Sequence, residues 1–371
     1  MTELHTINSH IHLPLPLRKR ILFLVMLLSL GILFLEGTAR LFFPDETPEP
    51  VVPTSIGQWD ATLGWSLMPD SHATSQRIGY DIEYRINSQG LRDVETPYHK
   101  PPGTFRIVLL GDSRTFGFGV PIDKHFTTLL EGYFNNVEVI NMGIKGFGVD
   151  QQLLYLRKEG FRYEPDIVMA YVAHYGGHRH MHTRRFGRSK PRFLLVDGEL
   201  VLNNCPVPAV NGTHDSGIVR RIHRSLCRHS RVYKGFRDGL AHLLSPQIAH
   251  ASVQQECHSH KRLEDDTFTR RLHELGEAIV YAMHEESRQH KAQFVLVTQI
   301  EQLHEAARGK GMISVDVSRP LSNSGFLLPD NLLHINESGN GVLAWELARF
   351  LEANHLIPHA HLNTEYCGKL R

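Results

Sequence analysis

The 371-residue chain is poor in cysteine and almost without net charge. Its four cysteines, Cys205, Cys227, Cys257 and Cys367, lie far apart, and none forms a Cys-x-x-Cys pair. That spacing argues against a zinc ribbon or a thioredoxin-like redox motif. In an oxidising compartment it leaves room for one or two disulfides, whose pairing the spacing does not assign. A formal charge of +1 gives no excess of either sign, so no nucleic-acid partner is expected. There is no internal repeat. The apolar share of 41% and the charged share of 21% are ordinary for a globular protein. The length allows one large domain or two small ones.

Long apolar runs are also scarce, with one exception. Arg18-Lys19-Arg20 precedes an unbroken apolar stretch from Ile21 to Leu35. The stretch approaches the roughly 20 residues of a membrane span once the following turn is included. Gly37-Thr38-Ala39 resembles the small-residue cleavage site of a signal peptide, which is the rival reading. An uncleaved anchor over 21–43 is favoured, with residues 1–20 as a cytoplasmic tail. The basic cluster then stays inside, which sends the rest of the chain across a bacterial inner membrane to the periplasm or exterior. Residues 44–59, with Pro44, Pro48, Pro50 and Pro53, read as a linker.

From Phe105 onward, short apolar strands alternate with helices. Strands are expected at Arg106 to Leu110, Val137 to Ile140, Asp166 to Ala173, Phe294 to Thr298 and Ile313 to Val317. Helices are expected at Val149 to Lys158, over 268–290 and at Ser338 to Leu356. That rhythm predicts an α/β fold, a parallel sheet with helices on both faces. Between about 176 and 265 the rhythm breaks. This stretch reads as an insertion after the third strand, with a hairpin turning at Asp197-Gly198 and a basic helical part from Ile218 to Leu244. The folded domain is expected over 60–360, followed by a short tail at 361–371.

Three segments carry chemistry. Gly111-Asp112-Ser113 ends the first strand of the rhythm, so Ser113 reaches the C-terminal edge of the sheet, where open α/β folds bind ligands. Asn141 to Gly148 is a glycine-rich loop whose backbone can approach a substrate. Asp330 and His334 precede the last helix, and a histidine there can take the proton of Ser113 with Asp330 orienting it.

With these motifs the chain resembles the SGNH/GDSL hydrolases, over about residues 60–356 apart from the insertion. Gly64-Trp65, Asn87, Gly90 and Arg92-Asp93 add a likeness to a bacterial, membrane-anchored branch often involved with envelope carbohydrates or acyl groups. The resemblance implies a flavodoxin-like three-layer α/β/α sandwich with no metal and no organic cofactor. It makes Ser113 the nucleophile, His334 the base and Gly146 an oxyanion-hole amide. Two positions depart from the family pattern. The third block normally supplies an asparagine; here Tyr175 takes that place, or His174 if the register shifts by one. The acid three residues before the histidine is replaced by Asn331, with Asp330 one residue further away.

The run containing His174, His178, His180 and His182, with Arg179, Arg184, Arg185, Arg188, Lys190 and Arg192, leaves the mouth of this site. It reads as a solvated basic loop rather than a metal site, since no carboxylate or supporting partner is evident nearby. A loop of that charge can attract an anionic glycan or lipid headgroup. The expected function is a serine esterase acting on acyl esters, with a glycan or lipid as the alcohol. An O-acyltransferase using the same residues, or a non-catalytic binding module, stands as the alternative.

Overall fold

In the computed structural model the described residues are 16–42, 54–77, 80–186, 188–209, 266–328 and 334–358. Chain contacts divide the protein into two units. Within the first, the described part is a single helix, α1 (Leu17–Phe42). Its Arg18–Thr38 segment has a mean hydropathy of 2.3, and none of it is buried in protein. By length and composition α1 can cross a membrane.

The second unit holds a five-stranded sheet. The N-terminal part contributes β1 (Gly57–Asp60) paired with β2 (Gly64–Leu67), and β3 (His72–Arg77) paired with β4 (Tyr80–Arg85). The sheet itself is built from β5 (Phe105–Gly111), β6 (Val137–Gly143) and β7 (Ile167–Val172), with two later strands. Between them lie α2 (Ser113–Phe116), α3 (Phe126–Gly132) and α4 (Val149–Lys158). The stretch after β7 forms two small antiparallel pairs. These are β8 (Arg184–Arg185) with β9 (Arg188–Ser189), and β10 (Arg192–Val196) with β11 (Glu199–Asn203). The long helix α5 (Asp266–Gln289) follows, then β12 (Gln293–Thr298), α6 (Glu301–Gly309), β13 (Ile313–Asp316) and α7 (Glu337–Ala353).

The strand order is β13-β12-β7-β5-β6, and every neighbouring pair is parallel. Numbered within the sheet this is 2-1-3-4-5, the flavodoxin-like order. The strands alternate between two apolar clusters because successive side chains face opposite sides. Val108 and Leu110 join a cluster with Leu153 of α4, Ile279 of α5 and Leu303 of α6. Ile107 and Leu109 join another with Leu129 of α3 and Leu347 of α7. Helices therefore cover both faces, which explains the continuous apolar character of the strands.

The Asp197-Gly198 turn joins β10 and β11 in two residues, with both residues at positive φ (51° and 84°). Those are the angles of a type I′ hairpin turn, so this local signal was sufficient on its own. The helical part expected at Ile218 to Leu244 and the acid Asp330 lie outside the described residues.

Candidate active site

The site is assembled at the C-terminal ends of β5, β6 and β7. Asp112 caps α2 by accepting the Arg114 amide at 3.0 Å, which makes Ser113 the first residue of that short helix. The turn packs tightly. A Cβ on Gly111 would lie 1.9 Å from Thr115 Oγ1, and one on Gly143 would lie 2.2 Å from the Phe116 nitrogen. Because the obstacle at Gly143 is backbone, glycine is required there for β6 to run beside α2. The order reverses between β6 and β7 on either side of β5, so Ser113 stands at the crevice where such sheets bind ligands.

His334 comes from the segment just before α7. Its Nε2 lies 2.7 Å from the Ser113 hydroxyl, and both residues are buried. The Leu328 amide donates to the His334 carbonyl at 2.7 Å, and the Phe118 ring lies 4.5 Å from the imidazole. The backbone and ring face of His334 are thus fixed by neighbours 6 and roughly 200 residues away in sequence.

The upstream motif grips the same loops. Arg92 is buried, and its Nη2 donates to the Val120 carbonyl at 2.8 Å while Nη1 donates to that of Phe116 at 3.0 Å. Its guanidinium sits over Tyr84 at 4.5 Å, and burial pulls its pKa down to about 10. The next carboxylate, Asp93, accepts the Asn141 amide at 2.8 Å. Arg92 therefore fixes the end of α2, and Asp93 fixes the approach to the glycine-rich loop.

His174 and Tyr175 follow β7. Burial, then the charge of Arg179, pulls the His174 pKa down to about 3 against the pull of Asp112, with Arg114 and His334 also felt. His174 lines the cavity beside Asp112, the residue before Ser113. The Tyr175 ring packs edge-on to His180 and His273 at 4.9 and 5.3 Å. Its hydroxyl lies 2.4 Å from where a Cβ on Gly276 of α5 would be. Tyr175 is thus held against α5, and burial raises its pKa.

Gly146 has φ +83°, and the Phe186 ring lies across it, 2.5 Å from the place of a Cβ. Arg179 donates to Asp112 at 2.6 Å and to the Phe147 carbonyl at 3.1 Å, joining the serine turn to the glycine-rich loop. Burial pushes the Asp112 carboxyl up, but Arg179, His174 and the Arg114 amide outweigh it and hold it far below the usual carboxylate range. A small cavity beside Asp112 is lined by Gly148, Gln152, His174 and Arg179.

The solvated-loop reading of the histidine- and arginine-rich run holds at His182, Arg184 and Arg188, which are exposed, and is corrected at His180 and Lys190, which are buried. His180 is 1% exposed and donates through Nε2 to the Leu272 carbonyl at 2.9 Å. Lys190 is fully buried, paired with Asp150 of α4, and also donates to the Pro191 carbonyl at 2.7 Å. Asp150 lies 40 residues upstream, so the sequence near Lys190 gives no sign of this partner. Arg179 was missed as a site residue for the same reason. Among the described residues no group of three or more His, Cys, Asp or Glu side chains is placed to hold a metal ion. Of the four cysteines only Cys205 is described, and it is free.

No protein-family model and no curated protein matches the chain. Among solved structures, it is similar to a member of the lipolytic G-D-S-L family from Veillonella parvula DSM 2008. That match has 13% identity and a TM-score of 0.35, covering 66% of this chain and 96% of the other. A lipase/acylhydrolase from Enterococcus faecalis gives 15% identity and a TM-score of 0.34, covering 68% and 97%. The psychrotrophic esterase EstA from Pseudoalteromonas sp., in a form inhibited by monoethylphosphonate, gives 11% and 0.35, covering 67% and 97%. Likeness at this level carries no function, and the α/β/α fold of this chain is read from its own strand order and layers.

Proposed function

We propose that this protein is a serine esterase acting on acyl esters. The observation that supports it is the 2.7 Å approach of Ser113 Oγ to His334 Nε2 at the switch point of the sheet. Ser113 donates its hydroxyl proton to His334 Nε2 as Oγ attacks the acyl carbonyl. The carbonyl oxygen becomes an oxyanion facing the backbone amides of Ser113 and Gly146. Collapse breaks the ester C–O bond, and the alcohol leaves with the proton from His334. Water then repeats the sequence on the acyl-serine and releases the acid. Asp330 is the residue assigned to orient His334.

For a further oxyanion donor we assign His174 in place of Tyr175. The Tyr175 hydroxyl is packed at Gly276, whereas His174 is neutral and lies in the field of Asp112, Arg179 and His334. A neutral imidazole can donate one N–H without adding a competing charge. We further assign α1 as a membrane anchor with the esterase domain on the periplasmic or outer side, on the strength of Arg18-Lys19-Arg20 before the apolar segment.

The test is a fluorophosphonate probe on the intact protein. Labelling of the wild type that disappears in Ser113→Ala and is strongly slowed in His334→Ala supports the reading. An unlabelled wild type, or labelling that persists in Ser113→Ala, overturns it.

A further inference from the structure

A carboxylate beside the nucleophile works against ester chemistry. Asp112 precedes Ser113, and its side chain is only 11% exposed. In the proposed reaction the acyl oxygen becomes negative while facing the Ser113 amide, in the peptide that joins these two residues. A sheltered anion so close opposes that charge, since Coulomb interactions strengthen where water is excluded. Capping α2 does not need the charge. Oδ1 of Asp112 accepts the Arg114 amide at 3.0 Å, a bond that an uncharged asparagine can also make.

The compensating cation comes from outside the sheet. Arg179, in the stretch after β7, places Nη1 2.6 Å from the other oxygen, Oδ2. The same nitrogen donates to the carbonyl of Phe147, the residue after Gly146, at 3.1 Å. One nitrogen thus ties together the two loops that carry the assigned oxyanion amides. The Arg179 side chain is 12% exposed, so solvent screens the pair little. Arg114, two residues along from Asp112, instead turns its Nη1 to the Tyr171 hydroxyl and the Gln299 amide oxygen. Arg179 is itself held from behind: Lys190 donates to its carbonyl at 3.2 Å and pairs with Asp150 of α4. We propose that Arg179 is a positioning residue of the esterase, acting through Asp112 to cancel the carboxylate charge beside the forming oxyanion. The stretch after β7 is then a working part of the active site. The inference rests on the Ser113–His334 reading for the place of the oxyanion.

The test is steady-state kinetics with 4-nitrophenyl acetate. Arg179→Gln is expected to lower kcat about 100-fold with KM nearly unchanged, because the opposed charge exists only in the transition state. Adding Asp112→Asn keeps the cap and removes the charge, and is expected to return kcat to within about tenfold of the wild type. A purely structural Arg179 predicts no return, since the Phe147 carbonyl lacks its donor in both variants. Recovery in the double variant supports the proposal; a silent Arg179→Gln, or a double variant no faster than the single, overturns it. Arg179→Lys guards against a variant that does not fold. Because both bonds leave one nitrogen, an ammonium is expected to keep kcat within about fivefold, and a 100-fold loss there overturns the proposal. Failure of the esterase reading is told apart by calorimetric binding of methylphosphonate to Ser113→Ala. Binding that Arg179→Gln weakens about tenfold and Asp112→Asn restores supports the charge role without any turnover. Equal binding in all three proteins, or none, overturns it.

Discussion

His174 and Tyr175 are neighbours in sequence just beyond β7 and both line the cavity beside Asp112, while the Tyr175 ring also packs against His273 and Gly276 of α5. Burial and nearby charge keep His174 neutral, while Tyr175 supports α5 at Gly276. His174→Ala is expected to lower turnover by about 100-fold, the cost of one oxyanion donor. Tyr175→Phe should leave turnover nearly unchanged. The reverse pattern in steady-state kinetics would return the donor role to Tyr175. Histidine burial also sets an acid limit on stability. Burial, the largest cause at each, lowers the pKa of His125 and His174 to about 3 and of His180 to about 4. An unfolded histidine binds its proton near pH 6.5, so stability present above 6.5 is lost as pH falls below it toward 3–4. Between pH 7.5 and 5 each costs about 2 kcal/mol. Asp93 acts in the opposite sense, since burial pushes its pKa up to about 7. Protonating it over the same range returns about 2 kcal/mol, so three histidines outweigh one carboxyl. Urea unfolding should therefore show a lower midpoint at pH 5 than at pH 7.5; equal midpoints would mean these histidines titrate normally.

At the scale of elements, the question is how the stretch after β7 is attached. Lys190 and Asp150 form an ion pair with both side chains fully buried, joining that stretch to the start of α4. Lys190 also donates to the carbonyl of Arg179, whose guanidinium holds Asp112 beside Ser113. Removing one partner leaves a buried charge without compensation, which costs roughly 3–5 kcal/mol. Lys190→Met should lose that much in chemical denaturation, and Lys190→Met with Asp150→Asn should recover part of it. Additive losses in this cycle would show that the two residues do not act as a pair. The contact between β6 and α2 is equally exacting. Gly143→Ala would set a Cβ against the Phe116 and Thr115 backbone, 2.2 and 2.3 Å away. It is expected to displace the serine turn, giving protein that labels poorly with fluorophosphonate even where it stays soluble.

For the whole molecule, the apolar helix α1 and the sheet belong to separate units. A chain shortened to begin at residue 54 keeps all five sheet strands and both apolar clusters. It is expected to fold, to be soluble, and to retain the labelling of the full protein. The full protein should fractionate with membranes, and a periplasm-dependent reporter fused after Arg371 should be active. Release of a soluble chain starting near Arg40 would show that the apolar segment is a cleaved signal.

The sequence by itself determined what repeats locally or follows from adjacent residues. Apolar runs of strand length between helical periods announced a parallel sheet, and the helices expected at Val149 to Lys158, over 268–290 and at Ser338 to Leu356 form within a few residues of those bounds. Asp197-Gly198 announced its hairpin, because two residues at positive φ suffice for that turn. Ser113 and His334 could be named from their motifs, but their 2.7 Å approach joins positions 221 residues apart and exists only after β5 and the segment before α7 are brought together. The packing of Tyr175 against α5 at Gly276 is a tertiary contact that no local pattern encodes. The same holds for the run from His174 to Arg192. Its composition is that of a solvated surface, yet Arg179 is paired with Asp112, and Lys190 and His180 are buried against Asp150 and the Leu272 carbonyl. Charge in a sequence declares an ionisable group; whether water or a distant carboxylate satisfies it is decided by tertiary contact alone.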